Sequence, residues 1–366
     1  MRIQVWDYRL EYEQYREEIL AAVDKVFSSG RLILGESVKS FERELANYCG
    51  ATNGVGLNSG TDALFLGLKA LDIGAGDEVI TVANTAVPTV AAIVSTGATP
   101  IFVDVDQDTC LMDVQKLENV LSNQTKCILP VHLYGQCADM DTINEYAQAH
   151  RLKVLDDCAQ SVGARYKGQR CGTLGDIAAF SFYPTKILGA YGDGGMVVSD
   201  TPELTDRVRR LRMYGMSGEY YASEHGYNSR LDEVQAEILL RKLVHVDSWI
   251  ERRRELAAEY NRRLKDIGLH LPQEAEGNYH TYYVYVVRHS RRDWIIEELK
   301  KRDIFVNVSY PYPIHTMRAY DYLGYKLGDL PVTEELTDTV FSLPMYPTLS
   351  DEEQNTVCGA LDDILS

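Results

Sequence analysis

Between Thr52 and Asp200, short apolar runs alternate with helical segments, and this alternation restricts the fold more than any other feature of the chain. The runs Glu78–Val82, Thr99–Val105, Cys127–Leu133, Leu152–Leu155, Ala178–Phe182 and Met196–Ser199 have strand length and apolar character. Gly60–Leu71 and Met140–His150 carry helical spacing between them. Strands joined through helices run parallel, because the helix carries the chain back across the sheet face. The expected class is therefore α/β, a mostly parallel sheet with helices on both faces. Helical character returns from Leu231 to about Leu264 and includes the charged run Glu251-Arg252-Arg253-Arg254-Glu255, which reads as a solvated helix face. A strand at His280–Val287, a helix near Arg292–Arg302 and a Pro/Tyr-rich stretch from Tyr310 follow. These features predict a large domain over 1–245 and a smaller α+β domain over 246–366, with the long helix as connector.

Charge and cysteine content then exclude several functions. The net charge of −17 argues against a nucleic-acid binder, which needs a basic face. Any anionic substrate must instead be met by a local positive site. No uncharged apolar stretch reaches 18 residues, and Met1–Asp7 holds no apolar core of a signal peptide, so neither a membrane span nor export is expected. The seven cysteines are odd in number and form no CxxC, which fits a reducing cytoplasm better than a disulfide framework.

Four segments carry the chemistry. Asn58-Ser59-Gly60-Thr61-Asp62 follows a strand-like run and opens a helix, where free N–H groups and hydroxyls suit a phosphate; Ser59 or Thr61 serves equally as an ordinary N-cap. Val154-Leu155-Asp156-Asp157 ends an apolar strand in two acids, the edge where α/β sheets place ligands. A metal pair there lacks a neighbouring His, Cys or Asp at a suitable spacing, so no metal is expected. Ala179-Phe180-Ser181-Phe182-Tyr183-Pro184-Thr185-Lys186 brings one lysine out of an apolar strand; burial lowers such an amine's pKa and makes it nucleophilic, while a surface lysine on a turn fits the local sequence equally. Gly192-Asp193-Gly194-Gly195 marks tight turns but does not fit G-x-G-x-x-G. A phosphate cradle, an acid at a strand end, a hydroxyl and an enclosed lysine are together what pyridoxal 5′-phosphate (PLP) requires.

The chain resembles the DegT/DnrJ/EryC1/StrS family of PLP-dependent nucleotide-sugar aminotransferases from about Leu10 to the C-terminus. The matching segments are Asn58–Leu64, Pro130-Val131-His132-Leu133-Tyr134-Gly135, Asp157-Cys158-Ala159-Gln160, Ser181–Lys186, Gly192–Gly195, Gly226–Glu233 and Ser342–Pro347. The resemblance implies a fold-type I transferase, a homodimer with shared sites, and L-glutamate as amino donor. It also implies Lys186 as the Schiff-base lysine, Asp157 beside the pyridine nitrogen and Gln160 near the ring hydroxyl. Gly60, Thr61 and Ser181 match the phosphate cradle, with Asn228 reaching the phosphate from the partner subunit. Tyr310 and His315 match a loop near the sugar, with aromatic packing as the alternative role, and Arg230 is a candidate for a substrate carboxylate or diphosphate or for a structural salt bridge. The family's dehydratases carry His where Lys186 stands, which favours amino transfer. The aromatic residue that often stacks on the cofactor is replaced by Ala86.

The implied reaction aminates C3 of a dTDP-linked 3-keto-6-deoxyhexose, with C4 amination of a 4-keto sugar as the alternative. An NAD-dependent nucleotide-sugar oxidoreductase and a non-catalytic PLP-binding regulator are the rivals. The regulator would bring a DNA-binding module, and none is expected before the transferase region.

Overall fold

The computed structural model describes residues 2–218 and 220–366. Two helices open the chain, α1 (Tyr8–Ser29) and α2 (Glu36–Cys49), and the strand–helix pattern marks neither. The large sheet is then laid down by β1 (Asn53–Leu57), α3 (Gly60–Ala70), β2 (Glu78–Val82), α4 (Val87–Ser95), β3 (Thr99–Val103), β4 (Thr125–Ile128), α5 (Met140–His150) and β5 (Lys153–Asp157). A small hairpin, β6 (Arg165–Tyr166) and β7 (Gln169–Arg170), precedes β8 (Ile177–Ser181) and β9 (Gly195–Ser199). The strand order is β1-β9-β8-β5-β4-β2-β3. Only β9 runs against its neighbours, pairing antiparallel with both β1 and β8. The remaining pairs are parallel. Every residue of β8 and β9 is buried, as expected for strands covered on both faces.

Three helices follow: α6 (Pro202–Leu211), α7 (Glu233–Leu243) and α8 (Val246–Leu264). The single long helix expected from Leu231 is thus two. The break falls at Val244 and His245, where the His245 N–H bonds to the Lys242 carbonyl before α8 starts. The remainder holds β10 (Asn278–Tyr279), β11 (Tyr285–Arg288), α9 (Arg292–Lys301), α10 (Pro331–Thr339), β12 (Val340–Leu343) and α11 (Asp351–Leu365). The expected strand His280–Val287 is interrupted; Tyr282 in its middle takes a positive φ of 48°, which breaks an extended run. The expected strand Cys127–Leu133 also stops early at Ile128. Pro130 has no N–H for a ladder, and only an isolated bridge from Val131 to Asp157 continues the pairing.

Two large apolar clusters share α8. Val246, Trp249 and Ile250 belong to the core around the seven-stranded sheet. Leu256, Ala257, Tyr260 and Leu264 belong to a second core with β11, β12, α9 and α11. The beginning of the chain does not stay with the residues that follow it. Ile3 is fully buried in the second core and pairs with Ile304. No helix among the described residues is long and apolar enough to cross a membrane.

Candidate active site

Strands β1, β2, β4, β5 and β8 point the same way, so their C-terminal ends converge on one edge of the sheet. Asp157, Ser181 and the Asn58–Thr61 turn all follow or end these strands, so topology alone gathers residues that lie more than a hundred positions apart.

Gly60 opens α3, and Ser59 caps it by accepting the Asp62 N–H at 3.1 Å. A Cβ at Gly60 would lie 2.5 Å from Ser181 Cβ and 2.9 Å from its hydroxyl oxygen. The start of α3 therefore lies directly against the end of β8, and only glycine permits that approach. A neighbouring contact tightens the same corner, since a Cβ at Gly195 would fall 2.1 Å from the Ser59 carbonyl oxygen. The result is a helix N-terminus with a hydroxyl beside it, which suits a dianion.

Asp157 is 3% exposed. Its Oδ1 accepts the Ala159 N–H at 3.0 Å, and its Oδ2 accepts the Thr89 hydroxyl at 2.8 Å. Thr85 bonds to Thr89 in turn at 3.0 Å. Burial raises the pKa of this carboxyl, opposed by Thr89, the Ala159 N–H, Lys186 and His132. A buried carboxylate with no cation hydrogen-bonded to it suits a cationic ligand atom. The sequence motifs give Thr89 no role; it lies in the first turn of α4, and its partner Thr85 precedes that helix.

Gln160, also buried, spends both ends of its amide. Its Oε1 accepts the Tyr134 N–H at 2.9 Å and its Nε2 donates to the Tyr310 hydroxyl. Tyr310 comes from the stretch after α9 and takes a positive φ of 61°. Burial pushes its phenol pKa up. Lys186 lies in the turn after β8, with Nζ 4.7 Å from the centre of the Tyr283 ring. It lines a narrow pocket with Trp6, Tyr8, Thr185, Arg253 and Thr348. A larger cavity of about 360 Å³ adjoins these residues, lined by Trp6, Tyr183, Thr185, Arg253, Tyr283, Asn307, Ser309 and Tyr310.

Other candidates lie elsewhere. His315 is buried beside Tyr325, with Nε2 3.0 Å from Glu334, and does not line either space. Arg230 leans on Tyr214 and Met213. Asn228 is exposed, on a segment bridged to Met213. The expectation that nothing completes a ligand set beside the paired acids needs correcting. His132, Asp156 and Cys158 bring donor atoms within 4.8 Å of one another, all buried. Burial disfavours charge on His132, yet the Asp156 carboxylate 3.9 Å away leaves its pKa raised. Its Nδ1 accepts the Ala138 N–H at 3.2 Å. His132 is far from Asp156 in sequence, so local spacing could not show the group.

The family model for the DegT/DnrJ/EryC1/StrS aminotransferase family matches residues 13–362. A dTDP-3-amino-3,4,6-trideoxy-alpha-D-glucose transaminase of Micromonospora megalomicea subsp. nigra is 52% identical over 100% of both chains. The crystal structure of S. venezuelae DesV in complex with a ketimine intermediate superposes with a TM-score of 0.98 at 42% identity, covering 100% of this chain and 99% of that one. The PLP form of a sugar aminotransferase from Streptococcus pneumoniae superposes with a TM-score of 0.89 at 28% identity, covering 95% and 96%. The chain belongs to the DegT/DnrJ/EryC1/StrS aminotransferase family.

Proposed function

We propose that this protein is a PLP-dependent aminotransferase that moves an amino group from L-glutamate to C3 of a dTDP-linked 3-keto-6-deoxyhexose. The observation that carries the reading is the arrangement along one sheet edge: the Gly60–Ser181 corner at one point, the buried Asp157 at another, and Lys186 in the turn after β8. The donor set fits the coenzyme. An anion-binding helix start, a buried carboxylate without a hydrogen-bonded cation and an amine are the three things it asks for. When bound, the coenzyme supplies a carbonyl for the amine and a ring that accepts electrons.

The protein's own residues would act as follows. The N–H groups of Gly60 and Thr61 and the Ser181 hydroxyl hold a phosphate. Asp157 keeps a pyridine nitrogen protonated; opposite charges about 4 Å apart in a dielectric near 20 attract by roughly 4 kcal/mol. Gln160 fixes the position of Tyr310 through its amide nitrogen. The Lys186 amine, near Tyr283, takes a proton from the substrate carbon that bears nitrogen and returns it on the other side of the transfer. Asn228, exposed on its own subunit, serves the phosphate of a second copy in a homodimer.

The direct test is optical. A yellow protein that is bleached by borohydride, with the label recovered on the Lys186 peptide, supports the reading. A colourless protein that binds NAD rejects it. Incubation with glutamate and either the 3-keto or the 4-keto sugar then decides the carbon; turnover of the 4-keto sugar alone rejects C3.

A further inference from the structure

Arg253 belongs to the charged run that reads as a solvated face of α8, yet it is 6% exposed. All three of its hydrogen bonds leave from Nη1, to the carbonyls of Tyr282 at 3.2 Å, Tyr283 at 3.1 Å and Met345 at 2.7 Å. Its Nε is buried without a partner among the described residues. Among the described residues, no carboxylate lies within ion-pair distance of it. The two acids nearest in the pocket are already engaged: Glu11 with Lys242 at 2.5 Å and Asp7 with Arg9 at 2.8 Å. Burial lowers the pKa of Arg253 to about 10, so the guanidinium remains charged at neutral pH. An enclosed cation of this kind is costly unless something anionic joins it.

Its position says what that anion is. Arg253 lines both the narrow pocket that holds Lys186 and the larger cavity beside Tyr283 and Tyr310. It also bonds to the carbonyl of Tyr283, the residue whose ring lies under the Lys186 amine. An amino acid donor carries its α-carboxylate one bond from the carbon that reacts. The diphosphate of a nucleotide sugar is separated from the accepting carbon by the sugar ring. A cation sharing the lysine's own pocket therefore reaches the former. Nη2 is the guanidinium nitrogen that carries no hydrogen bond among the described residues and is not fully enclosed, so a carboxylate can meet the charge there.

We propose that Arg253 binds the α-carboxylate of the amino donor, an assignment that rests on the aminotransferase reading above. Nη1 keeps its carbonyl partners, and Nη2 takes the carboxylate. In a chain with net charge −17 this is the local positive site that an anionic donor needs.

The test uses the yellow holoenzyme and α-methyl-L-glutamate, which has no α-proton to lose, so that binding is read by calorimetry without turnover. Arg253→Lys retains a cation able to meet the carbonyls. It is expected to weaken α-methyl-L-glutamate by roughly 10- to 100-fold, the value of a charge-assisted contact. Binding of dTDP should be unchanged. Wild-type enzyme should also prefer L-glutamate over 4-aminobutyrate, which lacks the α-carboxylate, and Arg253→Lys should lose most of that preference. Circular dichroism and the cofactor spectrum confirm that the variant is folded and loaded; Arg253→Gln, if it folds, should show the larger loss. Weakened dTDP binding with intact α-methyl-L-glutamate binding places Arg253 on the diphosphate and overturns the assignment. Equal affinities in wild type and variant make it a clamp for the three carbonyls alone and overturn the assignment as well. A wild-type protein that binds neither probe overturns the aminotransferase reading, and the assignment with it.

Discussion

The Thr89 hydroxyl donates to Oδ2 of Asp157 at 2.8 Å, so α4 holds the carboxylate that ends β5. This contact orients a buried acid toward the edge of the sheet where Lys186 and the Gly60–Ser181 corner lie. It also separates two properties of Asp157 that ordinarily go together, function and stability.

Because burial raises the Asp157 pKa, ionising it in the empty protein is unfavourable. A carboxyl with a raised pKa in the folded state stabilises most below its unfolded value, and that contribution is lost as pH rises through the folded value. Asp157→Asn should therefore leave the cofactor-free protein at least as stable at pH 8 as wild type. With cofactor supplied, activity should fall by about 1,000-fold, since roughly 4 kcal/mol of ion pairing is lost and each 1.36 kcal/mol is a factor of ten. Urea midpoints on both cofactor-free proteins and turnover on the loaded ones check the two halves. A cofactor-free Asp157→Asn protein that is clearly less stable contradicts the argument.

Gly60→Ala addresses the opposite end of the site. The added methyl would meet Ser181 at 2.5 Å, and both partners are held by secondary structure. Relief requires moving the start of α3 or the end of β8, at a cost of about 1–3 kcal/mol. Cofactor release during gel filtration should increase while the far-ultraviolet spectrum stays native. Retention equal to wild type would show that this corner holds no phosphate.

Much of this site is legible in the sequence because each part sits at the end of an apolar run. Asp157 closes β5, Ser181 closes β8, and Gly60 opens the helix after β1. Lys186 has apolar neighbours in sequence, and in the fold it lines a pocket. What is not legible depends on distant partners or on a misleading local pattern. His132 meets Asp156 only after β4 and β5 pair. Arg253 is masked by its neighbours Arg252 and Arg254, which pair with Asp351 and Glu274 on the outside. Its phase is nonetheless available. Val246, Trp249, Arg253, Ala257, Tyr260 and Leu264 recur at steps of three and four, so Arg253 lies on the buried stripe. The Pro130 that ends the β4 run early is equally visible, and it outweighs the β propensity of Val131.

Glu233 carries a structural role that also joins distant segments. Helix α2 is preceded at its N-cap by Gly35, which has no side chain to cap it. Glu233 supplies the cap, accepting N–H groups from Gly35 at 2.8 Å, Ser37 at 2.5 Å and Val38 at 3.2 Å. A buried carboxylate at a helix start gains from the dipole as well as from the bonds. Glu233→Ala should cost about 2–3 kcal/mol, the value of a cap made with a charged acceptor. Glu233→Gln, which still has one oxygen to offer, should cost less. Urea denaturation of the three proteins ranks them, and a Glu233→Ala variant as stable as wild type would deny the cap its importance.

His280 sets an acid limit on the fold. It is buried, stacked on Tyr282 with ring centres 4.0 Å apart, and its Nδ1 accepts the Tyr282 N–H at 2.9 Å. Burial, aided by the Arg254 cation, lowers its pKa from 6.5 to about 3. A proton therefore binds the unfolded chain first. Stability is untouched above the unfolded value and falls as pH drops below it, by about 1.4 kcal/mol for each pH unit until the folded value is reached. His280→Asn keeps an acceptor for the Tyr282 N–H but has no proton to take up. The variant should lose some packing against Tyr282 at pH 8, and its urea midpoint should then fall less steeply than that of wild type between pH 6.5 and 4.5. Parallel slopes for the two proteins across that interval would show that His280 takes up its proton equally well in the folded state.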